Sequence, residues 1–226
     1  MAKASTDFLG QLAAGERETL LRLAKRRRVR KGQFVFRVGE IKRGAYIVLR
    51  GRLKFFRLSP AGREVILWFS FPGEIFGLAE VPAVKGRRVN VQACDDSEVA
   101  VLPDAAFNRF LDDHSNAARL CRRTMTARLG ILTNTLVSLA ADDAATRIAK
   151  LVLHLGLNHG TRRGGEIELA VPLTHQDIGN MAGTNRQTAT RVLGRMRDQG
   201  ILSIARRRIR IDSAEKLHRL VRHEAV

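Results

Sequence analysis

The stretch Thr174–Leu202, TxxDIGxxxGxxRxTxxRxLxxMxxxGIL, admits few folds. It reads as two short helices about a tight turn, followed by an Arg-rich hairpin. Thr174 stands three residues before Asp177, and Thr184 three before Gln187. The second pair fits a capping box, in which a hydroxyl and a side chain three positions on satisfy the orphan N–H groups of a helix start. The first is a looser version, with Asp in place of Glu or Gln. Gly183 lies between them, where a helix-turn-helix needs a residue that tolerates a left-handed backbone. Ile178 and Met181 supply apolar contacts from the first helix. Ala189, Val192, Leu193 and Met196 supply them from the second, at spacings that gather them on one side. The other side carries Arg186, Gln187, Thr190 and Arg191, all able to hydrogen-bond base edges or phosphates in a major groove. The competing reading is a packed helical hairpin with a solvated basic face. Turn chemistry, caps and polar face agree on the first.

Charge supports a polyanionic partner. The 226 residues carry a formal net charge of +18. Residues 172–226 hold 11 Lys and Arg against 5 acids, and residues 1–140 hold 25 against 13. Lys25–Lys31, KRRRVRK, reads as a solvated face or tail, with direct nucleic-acid contact as the alternative. Cys94 and Cys121 are the only cysteines and match no CxxC spacing, which excludes a four-thiolate metal or iron–sulfur site within one chain. They read as small buried thiols. No run approaches the length of a transmembrane helix, and MAKASTDFLG has no signal-peptide apolar core, so the expected location is cytoplasmic and away from membranes.

Along the chain, residues 5–24 read as a short helical lead-in. Apolar runs then alternate with Gly, Pro and charged turns: Gln33–Val38, Ala45–Leu49, Leu53–Leu58, Val65–Phe69, Val89–Ala93 and Val99–Leu102. Short strands at near-regular spacing predict a small antiparallel barrel or roll. From about Pro103 to Ala140 glycine nearly disappears and the period becomes helical. Met125, Leu129, Leu132, Leu136 and Leu139, spaced 4, 3, 4, 3, form two heptads of a seam. Either a dimer partner covers that seam or the helix lies on its own barrel; a symmetric reader of duplex DNA favours the dimer. A further helix, Ala144–Leu157, leads through a loop, Asn158–Gly165, to a strand at Ile167–Val171.

Roll, long helix, helix-turn-helix and basic hairpin, in that order from about Phe34 to Ile211, resemble the CRP/FNR family of bacterial transcription regulators. The most specific part is Leu173–Leu202, LTHQDIGNMAGTNRQTATRVLGRMRDQGIL; Asp142–Ile148, DDAATRI, resembles the hinge, and Pro72–Gly77, PGEIFG, the turn before the phosphate-binding cassette. The resemblance implies an α+β fold with an N-terminal antiparallel β-roll that senses an effector (1–103), a dimerisation helix region (104–141) and a C-terminal winged helix-turn-helix (142–226). It implies a homodimer that binds a palindromic site in double-stranded DNA and recruits or blocks RNA polymerase.

By the family's pattern Arg186, Gln187 and Arg191 read bases. Arg suits guanine O6 and N7. Gln187 stands where Glu is common in these regulators, and Gln suits adenine N6 and N7. Thr174, His175 and Gln176 open the first helix, where they can donate to phosphate. Arg206, Arg207, Arg208 and Arg210 resemble a wing that touches phosphates, with a plain solvated cluster as the alternative. In the roll, Gly73 and Glu74 match the Gly-Glu pair that holds a ribose in cyclic-nucleotide members. Arg87 falls at the phosphate-binding Arg, and Arg88 replaces a small hydroxyl residue. On the long helix Leu132 and Thr133 fall where the base is touched. Cyclic AMP or a related nucleotide is thus one effector; a different small molecule, or a site that has lost its ligand, are the others. On a strand, adjacent side chains face opposite ways, so only one of Arg87 and Arg88 can point inward. Haem would need an axial ligand, and the nearest histidine, His114, follows the roll.

Other function classes find less support. There is no HExxH, Walker loop, GxGxxG or nucleophile elbow, so no enzyme is indicated and no metal site is expected. A non-specific nucleic-acid binder fits the charge, but one Trp and one Tyr make a poor stacking platform for single strands. A nucleotide-binding regulatory subunit does not need a helix-turn-helix.

Overall fold

The run Ala45–Arg50 is buried over its first four residues, so this strand is covered on both faces rather than alternating in and out. Tyr46 and Val48 face one core, shared with Val29, Val35, Phe36, Leu53, Phe55, Phe76, Val91 and Val99. Ala45 and Ile47 face another, shared with Phe8, Leu20, Phe107, Phe110, Ala117 and Leu120. Two sheets enclose the first core, and helices close over the second. The computed structural model describes residues 7–41, 44–78, 86–169, 172–205 and 208–222. Contacts divide the chain into two compact units, Ser5–Ile131 and Leu132–Val226, with the boundary inside one long helix.

In the first unit α1 (Phe8–Gln11) and α2 (Ala14–Leu23) precede eight strands: β1 (Lys25–Val29), β2 (Phe34–Phe36), β3 (Ala45–Arg50), β4 (Leu53–Leu58), β5 (Glu64–Ser70), β6 (Ile75–Phe76), β7 (Asn90–Ala93) and β8 (Ser97–Leu102). They form two antiparallel four-stranded sheets, ordered β1-β8-β3-β6 and β2-β7-β4-β5. The expected roll is therefore present. Two strands were not expected. β1 was read as a solvated basic face or tail, yet Lys25–Val29 pairs residue by residue with Val101–Ser97 of β8. Only Val29 is fully buried, so the run remains a charged edge strand. The guanidinium of Arg27 donates to the carbonyls of Phe34 and Val35, both at 2.9 Å. β6 is two residues long, too short for a period to show.

Helices α3 (Asp104–Asp113) and α4 (Ser115–Ala141) follow. Ala117, Leu120, Cys121 and Thr124 bury one side of the start of α4. Burial pushes the Cys121 thiol up to about 11, which leaves it inert at neutral pH. Met125 is 42% exposed, Leu129 65%, Leu132 39%, Leu136 68% and Leu139 47%. All five seam residues are therefore exposed in the single chain.

The second unit continues with α5 (Ala144–His159), β9 (Gly160–Arg163), β10 (Glu166–Leu169), α6 (His175–Met181), α7 (Arg186–Asp198), β11 (Leu202–Ala205), β12 (Arg208–Ile211) and α8 (Ala214–Arg222). Its sheet is antiparallel, ordered β11-β12-β10-β9. α5 runs two residues past the expected Leu157, and the segment expected as a loop folds into a hairpin. Gly164 and Gly165, at φ 53° and 91°, supply the two left-handed residues of a tight turn. Of the expected strand Ile167–Val171, Ala170 and Val171 lie outside the described residues. Ile148, Val152, Ile167, Leu169, Ile178, Leu193, Met196, Ile209 and Ile211 are all buried in this unit.

Candidate nucleic-acid interface

Local capping sets both helices of the pair. Thr174 caps α6 in a closed box: the Asp177 N–H donates to Thr174 Oγ1 at 3.0 Å, and the Thr174 N–H donates to Asp177 Oδ2 at 2.9 Å. The Thr174 hydroxyl also donates to that carboxylate at 2.7 Å. Thr174 therefore has its donors engaged inside the box. Gln176, exposed, donates from Nε2 to Asn180 Oδ1 at 2.8 Å. The second cap is not Thr184 but Asn185, whose Oδ1 accepts from the Thr188 N–H at 2.8 Å. The helix begins one residue later than expected because the Thr184 N–H closes the turn onto Gly179 O at 2.8 Å. Gly183 has φ 64°, and a Cβ there would sit 2.5 Å from Leu139 Cδ2. Leu139, expected only at a dimer seam, thus also packs on this turn.

On α7 the split between faces is complete. Ala189, Val192, Leu193 and Met196 are buried, while Arg186, Gln187, Thr190 and Arg191 are exposed. Met181 of α6 is only half-buried, beside a fully buried Ile178. The Thr190 hydroxyl donates to Arg186 O at 2.9 Å and lies 2.8 Å from His175 Nδ1.

Arg147, which the sequence reading passed over, clamps the turn. Its Nε donates to Ala182 O and its Nη1 to Asp142 O, both at 2.7 Å. Asp142 in turn accepts from Lys150 Nζ at 2.6 Å and from the Ser138 hydroxyl. The bond from Lys150, then that from Ser138, holds the Asp142 carboxyl below the usual aspartate range. Asp143 caps α5 through the Thr146 N–H at 2.7 Å. The segment read as a hinge is therefore a bonded corner.

In the wing, Arg206 and Arg207 lie outside the described residues. Arg208 pairs with Glu168 at 3.3 Å, and Arg210 with Glu166 at 3.2 Å and Asp212 at 2.8 Å. These exposed pairs bind Arg208 and Arg210 to the unit's own acids.

In the first unit the residues read as a nucleotide clamp each have partners of their own. Gly73, at φ 88°, faces Asp7, whose Oδ1 would lie 2.0 Å from a Cβ there. Glu74 is buried, and its Oε2 lies 4.0 Å from Arg128 Nη2. Arg128 also donates to Ile75 O and stands over the Trp68 ring. It occupies the buried stripe Ala117, Cys121, Thr124, a spacing the sequence does show but which was read only for its leucines. Burial lowers the Arg128 pKa, and Glu74 opposes that shift. Arg87 is buried against the Phe36 ring and donates to Gly77 O at 2.9 Å and Gly44 O at 3.1 Å. Arg88 is exposed: of the two neighbours only Arg87 turns inward. Leu132 and Thr133 are exposed and belong to the second unit. Among the described residues, no helix is long and apolar enough to cross a membrane, and no His, Cys, Asp or Glu cluster could hold a metal ion.

Comparison with known proteins agrees with this architecture. Residues 26–114 match the cyclic nucleotide-binding domain, and residues 146–220 match the Crp-like helix-turn-helix domain. The chain is 26% identical over 192 residues to the CRP-like cAMP-activated global transcriptional regulator of Mycobacterium tuberculosis, covering 85% of this chain and 86% of that one. It is 24% identical over 202 residues to the fumarate and nitrate reduction regulatory protein of Salmonella typhimurium, covering 89% and 80%. A CooA variant from Carboxydothermus hydrogenoformans shares the fold, with a TM-score of 0.78 at 21% identity over 89% of each chain. A cyclic nucleotide-binding roll followed by a Crp-like helix-turn-helix, with relatives of both kinds along most of its length, makes this chain a member of the CRP/FNR family of DNA-binding transcription regulators.

Proposed function

We propose that the protein works in the cytoplasm as a homodimer that binds a palindromic duplex and recruits or blocks RNA polymerase in response to a small molecule sensed by the roll. The observation that carries this is the face of α7: Arg186, Gln187, Thr190 and Arg191 exposed in a row, over a fully buried opposite side. Four side chains with base-edge chemistry on the second helix of such a pair are what a major groove accepts. Two copies, related by the uncovered apolar seam of α4, would address two half-sites about one helical turn apart. Selection of bound duplexes from a random pool tests this. A palindrome with half-sites about 10 base pairs apart is expected, bound at least about a thousandfold more tightly than unrelated duplex. An unstructured pool of bound sequences would support a non-specific binder instead.

For the effector, the M. tuberculosis relative is cAMP-activated by name. In this chain the Arg87 guanidinium donates to two backbone carbonyls, Arg88 faces out, and Glu74 sits beside Arg128. Those bonds use two of the five guanidinium N–H groups, and no small hydroxyl residue stands next to Arg87 to share a cyclic phosphate. This favours a second reading, in which the roll takes a different small effector or needs none. Titration with cyclic AMP, followed through Trp68, the single tryptophan, separates the two: no change in emission is expected under this second reading.

A further inference from the structure

Thr190 differs from its three exposed neighbours in what it has left to offer. Its hydroxyl is engaged within the protein. The single proton goes to Arg186 O, one turn back, at 2.9 Å, and the oxygen lies 2.8 Å from Nδ1 of His175, the first residue of α6. A hydroxyl has one proton, so with that proton on Arg186 O the bond from His175 requires Nδ1 to carry a hydrogen. A lone back-bond from a threonine to its own helix is common and says little. Here a side chain from the other helix of the pair supplies a second anchor. Threonine is branched at Cβ, so fixing Oγ1 fixes χ1 and places the Cγ2 methyl with it. The residue is nonetheless exposed, on the helix face it shares with Arg186 and Gln187. What it presents to a groove is a methyl group in a set position.

We infer that Thr190 is a specificity-determining residue that recognises the C5-methyl of thymine by apolar contact, and that His175 is its positioning residue. Thymine is the one DNA base that puts a methyl into the major groove, and a threonine methyl is a suitable partner. The inference rests on the DNA-binding reading above, and it replaces the expectation that Thr190 hydrogen-bonds a base or phosphate. With the hydrogen on Nδ1, a neutral His175 offers only an acceptor at Nε2, so its expected donation to phosphate requires the imidazolium form.

Replacing thymine by uracil removes the methyl and leaves every base-pairing and groove hydrogen-bond group in place. Starting from the preferred palindrome, each thymine is changed to uracil in turn, symmetrically in both half-sites, and binding is measured. Wild type should weaken roughly three- to fivefold per half-site at one position, the scale of one buried methyl, and be indifferent elsewhere. Thr190→Val keeps a methyl and loses the hydroxyl, but valine holds a single χ1 well in a helix without an anchor where threonine divides between two, so it should retain discrimination at that position. Thr190→Ser, which keeps the hydroxyl and loses the methyl, should bind thymine and uracil duplexes equally. His175→Ala should reduce discrimination there and at no other base. Wild-type indifference to uracil at every position, with the palindrome still preferred, would overturn this inference alone. So would Thr190→Val losing affinity for thymine and uracil duplexes alike. Absence of any preference for the palindrome would remove the DNA-binding reading itself, and this inference with it.

Discussion

At the scale of single residues, the side chains that read and those that hold are interleaved. Gln187 is exposed on the second position of α7, beside Arg186. A glutamine amide can give and take one hydrogen bond each, which fits adenine, whereas a carboxylate only accepts and fits the cytosine amino group. Gln187→Glu is therefore expected to move the preferred base at a single position of each half-site from adenine to cytosine, with roughly 1–3 kcal/mol of discrimination. Affinities across a panel of duplexes substituted at each position measure this; equal loss at all positions would show that Gln187 touches backbone instead. The holding residues were harder to read than the readers. Arg186, Gln187 and Arg191 announce themselves because exposed basic and amide groups on a helix have few structural uses. Arg147 and Arg128 do not: the carbonyl or carboxylate partner is 35 or 54 residues away in sequence. Only the folded chain brings them together.

At the scale of elements, legibility followed how local the determining interactions are. The α6–turn–α7 unit was readable because caps and a left-handed glycine act within four residues. Even there the cap of α7 was misplaced by one position, since Thr184 and Asn185 are both competent caps and the choice depends on the turn's bond to Gly179. β3 was readable as an uninterrupted apolar run. β1 was not, because an edge strand with one buried residue carries no apolar period. The β9–β10 hairpin was hidden by its polar strands, although Gly164-Gly165 is a hairpin signal in itself. The seam on α4 is the element whose meaning the fold sharpens most. Five apolar residues stand exposed on a helix that buries other positions near its start. An exposed stripe of that kind marks an interface. Leu129→Asp combined with Leu136→Asp should convert a dimer to a monomer, as read by sedimentation or light scattering, with helical circular dichroism retained. Half-site affinity should survive while palindrome affinity falls at least about a hundredfold through loss of the linked second contact. A double variant that stays dimeric would place the interface elsewhere.

At the scale of the whole molecule, the +18 charge acts on any duplex, and specificity has to be built above it. The distribution of ion pairs decides how much of that charge reaches DNA. Arg208 and Arg210 face Glu168, Glu166 and Asp212, so a phosphate must compete with carboxylates already in place. Exposed pairs of this kind contribute about 0–1 kcal/mol each, less than a phosphate that offers both charge and counterion release. The pairs should therefore open on binding. In a dimer each wing arginine counts twice. If each copy neutralises one phosphate, substituting Arg208 and Arg210 together by alanine should flatten the dependence of log affinity on log salt by about 3.6, from roughly 0.9 per phosphate. The loss should be the same on the palindrome and on scrambled duplex, because phosphates carry no sequence. Glu168→Gln should act in the opposite sense, raising affinity most at low salt by removing the competitor for Arg208 and a like charge facing the DNA. A slope unchanged by the double substitution would mean that these arginines stay with their acids in the complex. The wing would then serve to brace β10 and β12 rather than to hold DNA.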